Sequence, residues 1–314
     1  MEALDPSKTI SPRDLAKAIG VSESSLKRWA DRGLLSVTRT AGGHRRIRVK
    51  EAIRFVRERK LVLAAPRALG LPVAVTDFAD EALTELNADH DSAAHLGPFV
   101  ELLDSGRGEL AESYLVGRFL SGESIAEIGD EVIRPALEHL GHGPHGAQEI
   151  LKEHRATQVC VQAIEQMRSL SALEKPFFRA VGGGAAGSTY MLPSQLVAGL
   201  VEESGGRAVN LGANTPIRAL RCEAFPSVES RPSAGLIWLS VSEPLSQHQD
   251  ELGALKSLIA ECASSRVHLM LGGRASLGLG LSDHQGPHFQ IHDTLLGMYR
   301  SIQALFTPEG DISG

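Results

Sequence analysis

Residues 11–48 read SPRDLAKAIGVSESSLKRWADRGLLSVTRTAGGHRRIR, and the order of caps, apolar positions and glycines in this stretch decides the fold of the N-terminal segment. Ser11 followed by Pro12 is a helix start, because the serine oxygen can accept an unpaired amide of the first turn and proline lacks the donor that is unpaired there. Leu15, Ala16 and Ile19 then share one face of a short helix, and Gly20 ends it. Val21 lies in the turn, Ser22 caps a second helix with Ser25 near its start, Leu26 and Trp29 form its inward side, and Gly33 stops it. Two short helices joined in this way form a helix-turn-helix, whose second helix enters the major groove of DNA. Glu23, Ser24, Lys27 and Arg28 are left free to reach bases and phosphates, and Lys27 and Arg28 are the cationic pair among them. Leu34 to Arg39 is a short β-prone run, and Gly42-Gly43 permits a tight turn before His44-Arg45-Arg46-Ile47-Arg48 returns as a second strand. Such a hairpin is a wing that can lie along the phosphate backbone, with Arg39, His44, Arg45 and Arg46 displacing counterions. Val49–Lys60 reads as the following helix.

Charge supports the same reading. Residues 1–60 hold fifteen Lys and Arg against seven Asp and Glu, a local balance of +8 in a chain whose net charge is −6. The remainder therefore carries −14, a basic head on an acidic body. Double-stranded DNA is the expected partner. At 314 residues the chain has room for two or three domains, and 42% hydrophobic with 22% charged residues is an ordinary globular composition. No run approaches the roughly 18 apolar residues of a membrane span, and the N-terminus lacks the basic start and apolar stretch of a secretion signal, so a cytoplasmic protein is expected. Cys160, Cys222 and Cys262 are odd in number and far apart, which points to buried reduced thiols rather than disulfides or a metal site.

The helix-turn-helix followed by RTAGGHRRIR closely resembles the MerR family of bacterial transcription regulators, with His44-Arg45-Arg46-Ile47 in the position of that family's wing. The resemblance implies a dimer or larger homo-oligomer on a palindromic site, since one winged unit makes few phosphate contacts. Residues 61–76 contain Pro66, Gly70 and Pro72 and read as an apolar linker, which closes a first domain over 1–76.

Residues 77–173 are expected to form a helical bundle, because apolar residues recur at three and four: Phe99, Leu102, Leu103; Leu110, Tyr114, Leu115, Phe119; Ile125, Ile128, Val132, Ile133, Leu137. Its last helix spans Gln148–Leu170. Four histidines, His139, His142, His145 and His154, fall within sixteen residues and are either solvent-facing loop residues or ligands for a metal or haem.

From 174 to 314 the pattern alternates short strands and helices. Strands are expected at Phe177–Gly182, Ala208–Leu211, Leu236–Ser240, Val267–Leu271 and His288–Ile291, with helices at Leu192–Ser204, Ile217–Glu223, Ser246–Ser264 and Asp293–Phe306. This is an α/β flavodoxin-like, Rossmann-like doubly wound domain, with glycines Gly182–Gly184 and Gly272-Gly273 falling after the first and fourth strands, at the edge where such sheets bind ligands. No dinucleotide fingerprint follows them.

The order helix-turn-helix, bundle, sheet resembles the cobalamin-dependent light-sensing regulators of the CarH and LitR group. Asn210-Leu211-Gly212-Ala213-Asn214-Thr215-Pro216, Ser240-Val241-Ser242 and Leu271-Gly272-Gly273 match segments of their cobalamin-binding domain. Two signatures depart. Where that family has E/D-x-H-x-x-G, whose histidine is the lower cobalt ligand, this chain has Ser188, Tyr190 and Pro193. Where it has a tryptophan ten residues before a Glu-His pair, this chain has Gly143 before Glu153-His154. A phenol cannot replace imidazole nitrogen on cobalt, and glycine supplies no aromatic lid. No cofactor and no metal are therefore expected, and cobalamin is disfavoured.

Three roles remain open for the C-terminal part: oligomerisation or partner binding without cobalamin, binding of another small molecule or tetrapyrrole, and weak cobalamin binding. The candidate cleft residues are His142, His145, His154, Ser188, Tyr190, Ser240, Ser242, Gly272 and Gly273. The reading as a whole is a DNA-binding regulator, a repressor by analogy. The alternatives are a cobalamin- or tetrapyrrole-based light or ligand sensor controlling DNA binding, and a cobalamin-module enzyme subunit. The last is disfavoured because no nucleophile–base or carboxylate pair stands out, and Asp250-Glu251 reads as an exposed helix face.

Overall fold

The computed structural model describes residues 8–71, 97–141, 146–226, 233–245 and 249–306. The chain divides into two compact units, one of residues 1–124 and 131–171, the other of residues 125–130 and 172–314.

In the first unit, α1 (Pro12–Ala18) and α2 (Glu23–Asp31) are the expected helix pair. Ser11 Oγ accepts the Asp14 amide at 3.2 Å while the Asp14 carboxylate accepts the Ser11 amide at 3.0 Å, a reciprocal cap that satisfies two otherwise unpaired donors. These bonds hold the Asp14 carboxyl below its ordinary pKa. Gly20 and Gly33 take φ of +68° and +74°, which ends each helix at little steric cost. Strands β1 (Thr9–Ile10), β2 (Thr38–Arg39) and β3 (Arg45–Arg48) form a sheet in the order β1-β3-β2, with β2 and β3 an antiparallel hairpin pairing Thr38 with Arg46 and Arg39 with Arg45. Leu15, Leu26 and Ile47 are buried with Ile53, Phe55 and Val56 of α3 (Val49–Glu58). Trp29 is half-buried, its ring 5.3 Å from that of Phe55. The described part of the apolar linker packs inward: Leu63, Leu69 and Leu71 are buried, and the Ala65 amide donates to the Ala18 carbonyl at 2.9 Å.

The helices that follow are α4 (Pro98–Asp104), α5 (Gly108–Leu120), α6 (Arg134–Gly141) and α7 (Ala147–Ser171). α5 packs along α7, burying Tyr114, Leu115 and Phe119 together with Cys160, Ala163, Ile164 and Met167. Arg57 of α3 lies over the Phe119 ring, 3.6 Å from its centroid, and donates to the carbonyls of Phe119 and Glu123. A cation stacked and hydrogen-bonded at once joins the end of α3 to the end of α5.

One expectation fails in the middle of this region. The periodicity predicts ordinary helix through Ile125–Leu137, whereas Ile128–Ile133 is π-helical. The cause lies in distant residues of the second unit, to which residues 125–130 belong. The Glu203 carboxylate accepts the Ile125 amide at 2.9 Å, and the Asp130 carboxylate accepts the Leu295 and Leu296 amides at 3.1 and 2.9 Å. A side chain on Gly129 would come within 2.4 Å of Leu295. The widened turn thus presents a carboxylate to the start of the final helix.

The second unit holds five parallel strands, β4 (Phe178–Gly184), β5 (Gly206–Asn210), β6 (Leu236–Ser240), β7 (His268–Gly272) and β8 (Phe289–His292), in the order β5-β4-β6-β7-β8. That is the 2-1-3-4-5 order of flavodoxin-like sheets. Its helices are α8 (Leu192–Glu203), α9 (Ile217–Ala224), α10 (Gln249–Ser265) and α11 (Leu295–Phe306). Leu220 of α9 and Leu255, Leu258 and Cys262 of α10 cover Val181, Ile237, Leu239, Leu269 and Leu271 on one face. α8 and α11 cover the other, where Trp238, Met270 and Met298 are buried. Gly182 to Gly184 and Gly272 lie within strands, correcting the expectation that they follow them. Gly182 is opposite Trp238 in the register, and a Cβ on it would come within 2.0 Å of the indole. Among the cysteines, Cys160 and Cys262 are buried, and burial pushes each thiol up to about 12, but Cys222 is exposed on α9, contrary to expectation.

Two outcomes follow for the second unit. Trp238→Ala leaves the glycine strand facing a void and is expected to cost about 3–5 kcal/mol, read as a lower urea midpoint for that unit. Burial also holds the imidazoles of His268 and His292 below their ordinary value. The unfolded chain then takes up protons first, so stability is full above about pH 6.5 and declines as pH falls through the lowered folded values. His268→Gln with His292→Gln is expected to flatten that acid-side decline in a pH series of unfolding curves.

Candidate nucleic-acid interface and sheet-edge cleft

The expected DNA-contacting residues lie on α2 and the hairpin. Ser24, Lys27, Arg28, Arg39 and His44 are exposed, while Arg45 and Arg46 are half-buried. A groove of about 270 Å³ between α2 and the hairpin brings Ser24 and Lys27 together with Arg45. The hairpin is set by its turn: Gly43 takes φ of +79°, and its amide donates to the Thr40 carbonyl at 2.8 Å. The Thr40 amide donates to the His44 carbonyl at 2.9 Å, and Thr40 Oγ1 accepts the His44 amide at 3.2 Å. Ser22 does more than cap. Its Oγ accepts the Ser25 amide at 3.2 Å and lies 2.8 Å from Ser24 Oγ, so Ser24 is tied to the start of the helix. Arg28 reaches Ser25 Oγ at 3.4 Å.

Sequence reasoning missed Asp31. Its carboxylate accepts from Arg45 at 2.8 Å, linking the end of α2 to the hairpin and partly neutralising one of the cations assigned to phosphate contact. The only signal available was an acid at the end of a basic helix, and the contact spans fourteen residues.

Residues 11–47 match the MerR family regulatory protein model. The matched segment covers the reciprocal cap, both helices and the hairpin up to Ile47, and every predicted DNA-contacting residue falls within it.

The cleft residues predicted in the second unit differ in exposure. Ser188 is 1% exposed, Ser240 and Ser242 are buried, and Tyr190 alone of the four is open, at 45%. Ser188 Oγ and Asn210 Nδ2 are buried and have no hydrogen-bond partner among the described residues. Gly273 takes φ of +101°, and a Cβ there would stand 2.5 Å from the Val241 carbonyl oxygen, so this glycine serves a close backbone turn. The residue it delivers, Arg274, donates Nε to the Ser242 carbonyl at 2.9 Å and lies 5.8 Å from the Tyr190 ring. A cavity of about 660 Å³ opens beside Arg274 and Lys256, and none of the predicted cleft residues lines it. His154 is exposed on α7 in the other unit, while His142, His145 and Gly143 lie outside the described residues. Among the described residues no group of three His, Cys, Asp or Glu could hold a metal ion, and no helix is long and apolar enough to cross a membrane.

Among solved structures, the chain is similar to the methanol:cobalamin methyltransferase complex of Methanosarcina barkeri, at 14% identity and a TM-score of 0.36, over 74% of this chain and 86% of that one. It is also similar to a cobalamin-binding protein of Desulfitobacterium hafniense DCB-2, at 13% identity and a TM-score of 0.36, over 74% of this chain and 96% of that one. No curated protein matches the sequence.

Proposed function

We propose that the protein is a transcription regulator that binds double-stranded DNA through its MerR segment and represses from a palindromic operator as a homodimer or larger homo-oligomer. The match over residues 11–47 carries this reading, because it coincides with the helix-turn-helix and hairpin that hold the exposed cations. In it, Ser24, Lys27 and Arg28 on α2 enter the major groove, and the hairpin is a wing whose Arg39, His44, Arg45 and Arg46 follow the phosphates. Asp31 orients Arg45 toward the backbone at the cost of part of its charge. Work on an operator places the protein in the cytoplasm. No enzymatic role is proposed.

The second unit acts in this reading as a partner-binding or ligand-responsive body without cobalamin. The residues at the sheet edge do not fit that cofactor. Tyr190 offers a phenol where the resemblance requires a nitrogen ligand for cobalt, and Trp238 covers the glycine strand beneath it.

Binding of the full chain to a labelled random-sequence duplex, followed by fluorescence anisotropy over a salt series, tests the DNA assignment. Affinity should fall steeply with salt, and Arg45→Ala should lower the logarithmic slope by about one phosphate contact. An unchanged slope would remove the hairpin from the interface. Selection from a random duplex library should return a two-fold palindrome for the wild type. Lys27→Ala and Arg28→Ala should blur that site at the positions they read, a loss of about 1–3 kcal/mol of base discrimination each.

A further inference from the structure

The cavity beside Arg274 is built from chemistry of two kinds. Leu245, Leu252, Ala275 and Leu279 supply apolar wall, and Lys256 and Arg274 supply positive charge. No carboxylate is among the lining residues. Lys256 makes no ion pair among the described residues, and Arg274 spends only its Nε on the Ser242 carbonyl, leaving its Nη groups without a partner among them. Two acids on the same helix are engaged elsewhere, Glu251 accepting the Ile217 amide at 2.8 Å at the start of α9 and Glu261 pairing with Arg221 at 2.6 Å. Two uncompensated cations at the rim of an apolar hollow are matched by a molecule with one negative head and an apolar body. At about 660 Å³ the space is that of an ordinary small-ligand site.

Its position is set by the fold. The cavity sits where β6 and β7 end, beside α10, at the carboxyl edge where open parallel sheets accept ligands. Gly273 makes it possible, since only a residue tolerant of positive φ can turn back against Val241 and bring Arg274 to the rim. The walls are provided by α10 and the segments after β6 and β7, on the side of the sheet away from Trp238.

We propose that this cavity binds a small amphipathic monoanion, a carboxylate with an apolar chain or ring. Gly253, in the second turn of α10, lines the cavity and has nothing within 4 Å of an added Cβ. A Cβ there meets no neighbour, and leucine favours helix more than glycine does, so Gly253→Leu is expected to fold while placing bulk on the cavity wall.

The test is calorimetric titration of the full-length protein with octanoate, with octanol and octylamine as controls. Octanoate should bind at one equivalent per chain and raise the melting temperature, octanol should bind about tenfold or more weakly, and octylamine should not bind. Lys256→Gln with Arg274→Gln should weaken octanoate by about tenfold or more, and Gly253→Leu should abolish binding while keeping or raising the melting temperature of the free protein. Absence of octanoate binding to the wild type, equal binding of octanol, or undiminished binding by Gly253→Leu would each overturn the assignment. The titration contains no DNA, so its outcome is independent of whether the MerR segment grips a duplex.

Discussion

The second unit depends on the approach of one indole to one glycine. Trp238 is the largest fully buried side chain, and it can lie flat against the sheet only because its neighbour across the β4–β6 register is Gly182. A methyl group at that position would overlap the ring. Trp238 Nε1 finds Ser194 Oγ at 3.3 Å on α8, and Ser194 Oγ in turn donates to the Asn210 side chain at 2.7 Å at the end of β5. A buried ring with a polar handle therefore ties three elements together, since its N–H cannot be left unpaired away from water. The next two glycines complete the arrangement: Gly183 leaves room for Thr215 and the Gly212 carbonyl, and Gly184 for the backbone of Ala213 and Tyr190. Strand β4 is thin at its carboxyl end, where loops close over it and Ser188 is buried.

The first unit is organised by different means. Its N-terminal helices α1 and α2 are short, of seven and nine residues, and helices of this length are marginal alone, so capping and burial must both be favourable. The caps come from Ser11 with Asp14 and from Ser22, the burial from Leu15, Leu26 and Ile47, and the outward face is then free to be cationic. Arg45 is divided between two demands, since the same guanidinium that suits a phosphate also braces the hairpin against Asp31. Arg57, near the end of α3, donates Nη1 to two carbonyls and lays its plane over an aromatic face, a combination a lysine would not reproduce.

What could be read from the residues was whatever depends on near neighbours. The two N-terminal helices with their caps and stops, the tight Gly-Gly turn, the long α7, and the alternation of strands and helices after residue 174 all rest on spacing over a few residues, and the bounds agree with those expected to within three positions, β6 coinciding at both ends. A serine before a helix, or a glycine after one, acts within one turn, so its effect is written beside it. The local surplus of positive charge in the first sixty residues was equally plain, because charge is additive along a segment.

Tertiary structure decided the rest, wherever a residue's role depends on a partner distant in sequence. Gly182–Gly184 were expected to follow the first strand because glycines usually punctuate strands, but they pair within β4, where Gly182 lies opposite an indole fifty-six residues on. The π-helical turn at Ile128–Ile133 follows from Asp130 reaching the amides of Leu295 and Leu296, more than a hundred and sixty residues away. The candidate cleft was drawn from positions matched to the cobalamin-binding regulators and from a run of histidines, and folding buried Ser188, Ser240 and Ser242, left Tyr190 in the open, and gathered Lys256 and Arg274 at a separate cavity. Local order follows from the sequence itself because backbone capping and periodicity are short-ranged, whereas a site is an intersection of distant segments whose meeting point is set only when the core packs.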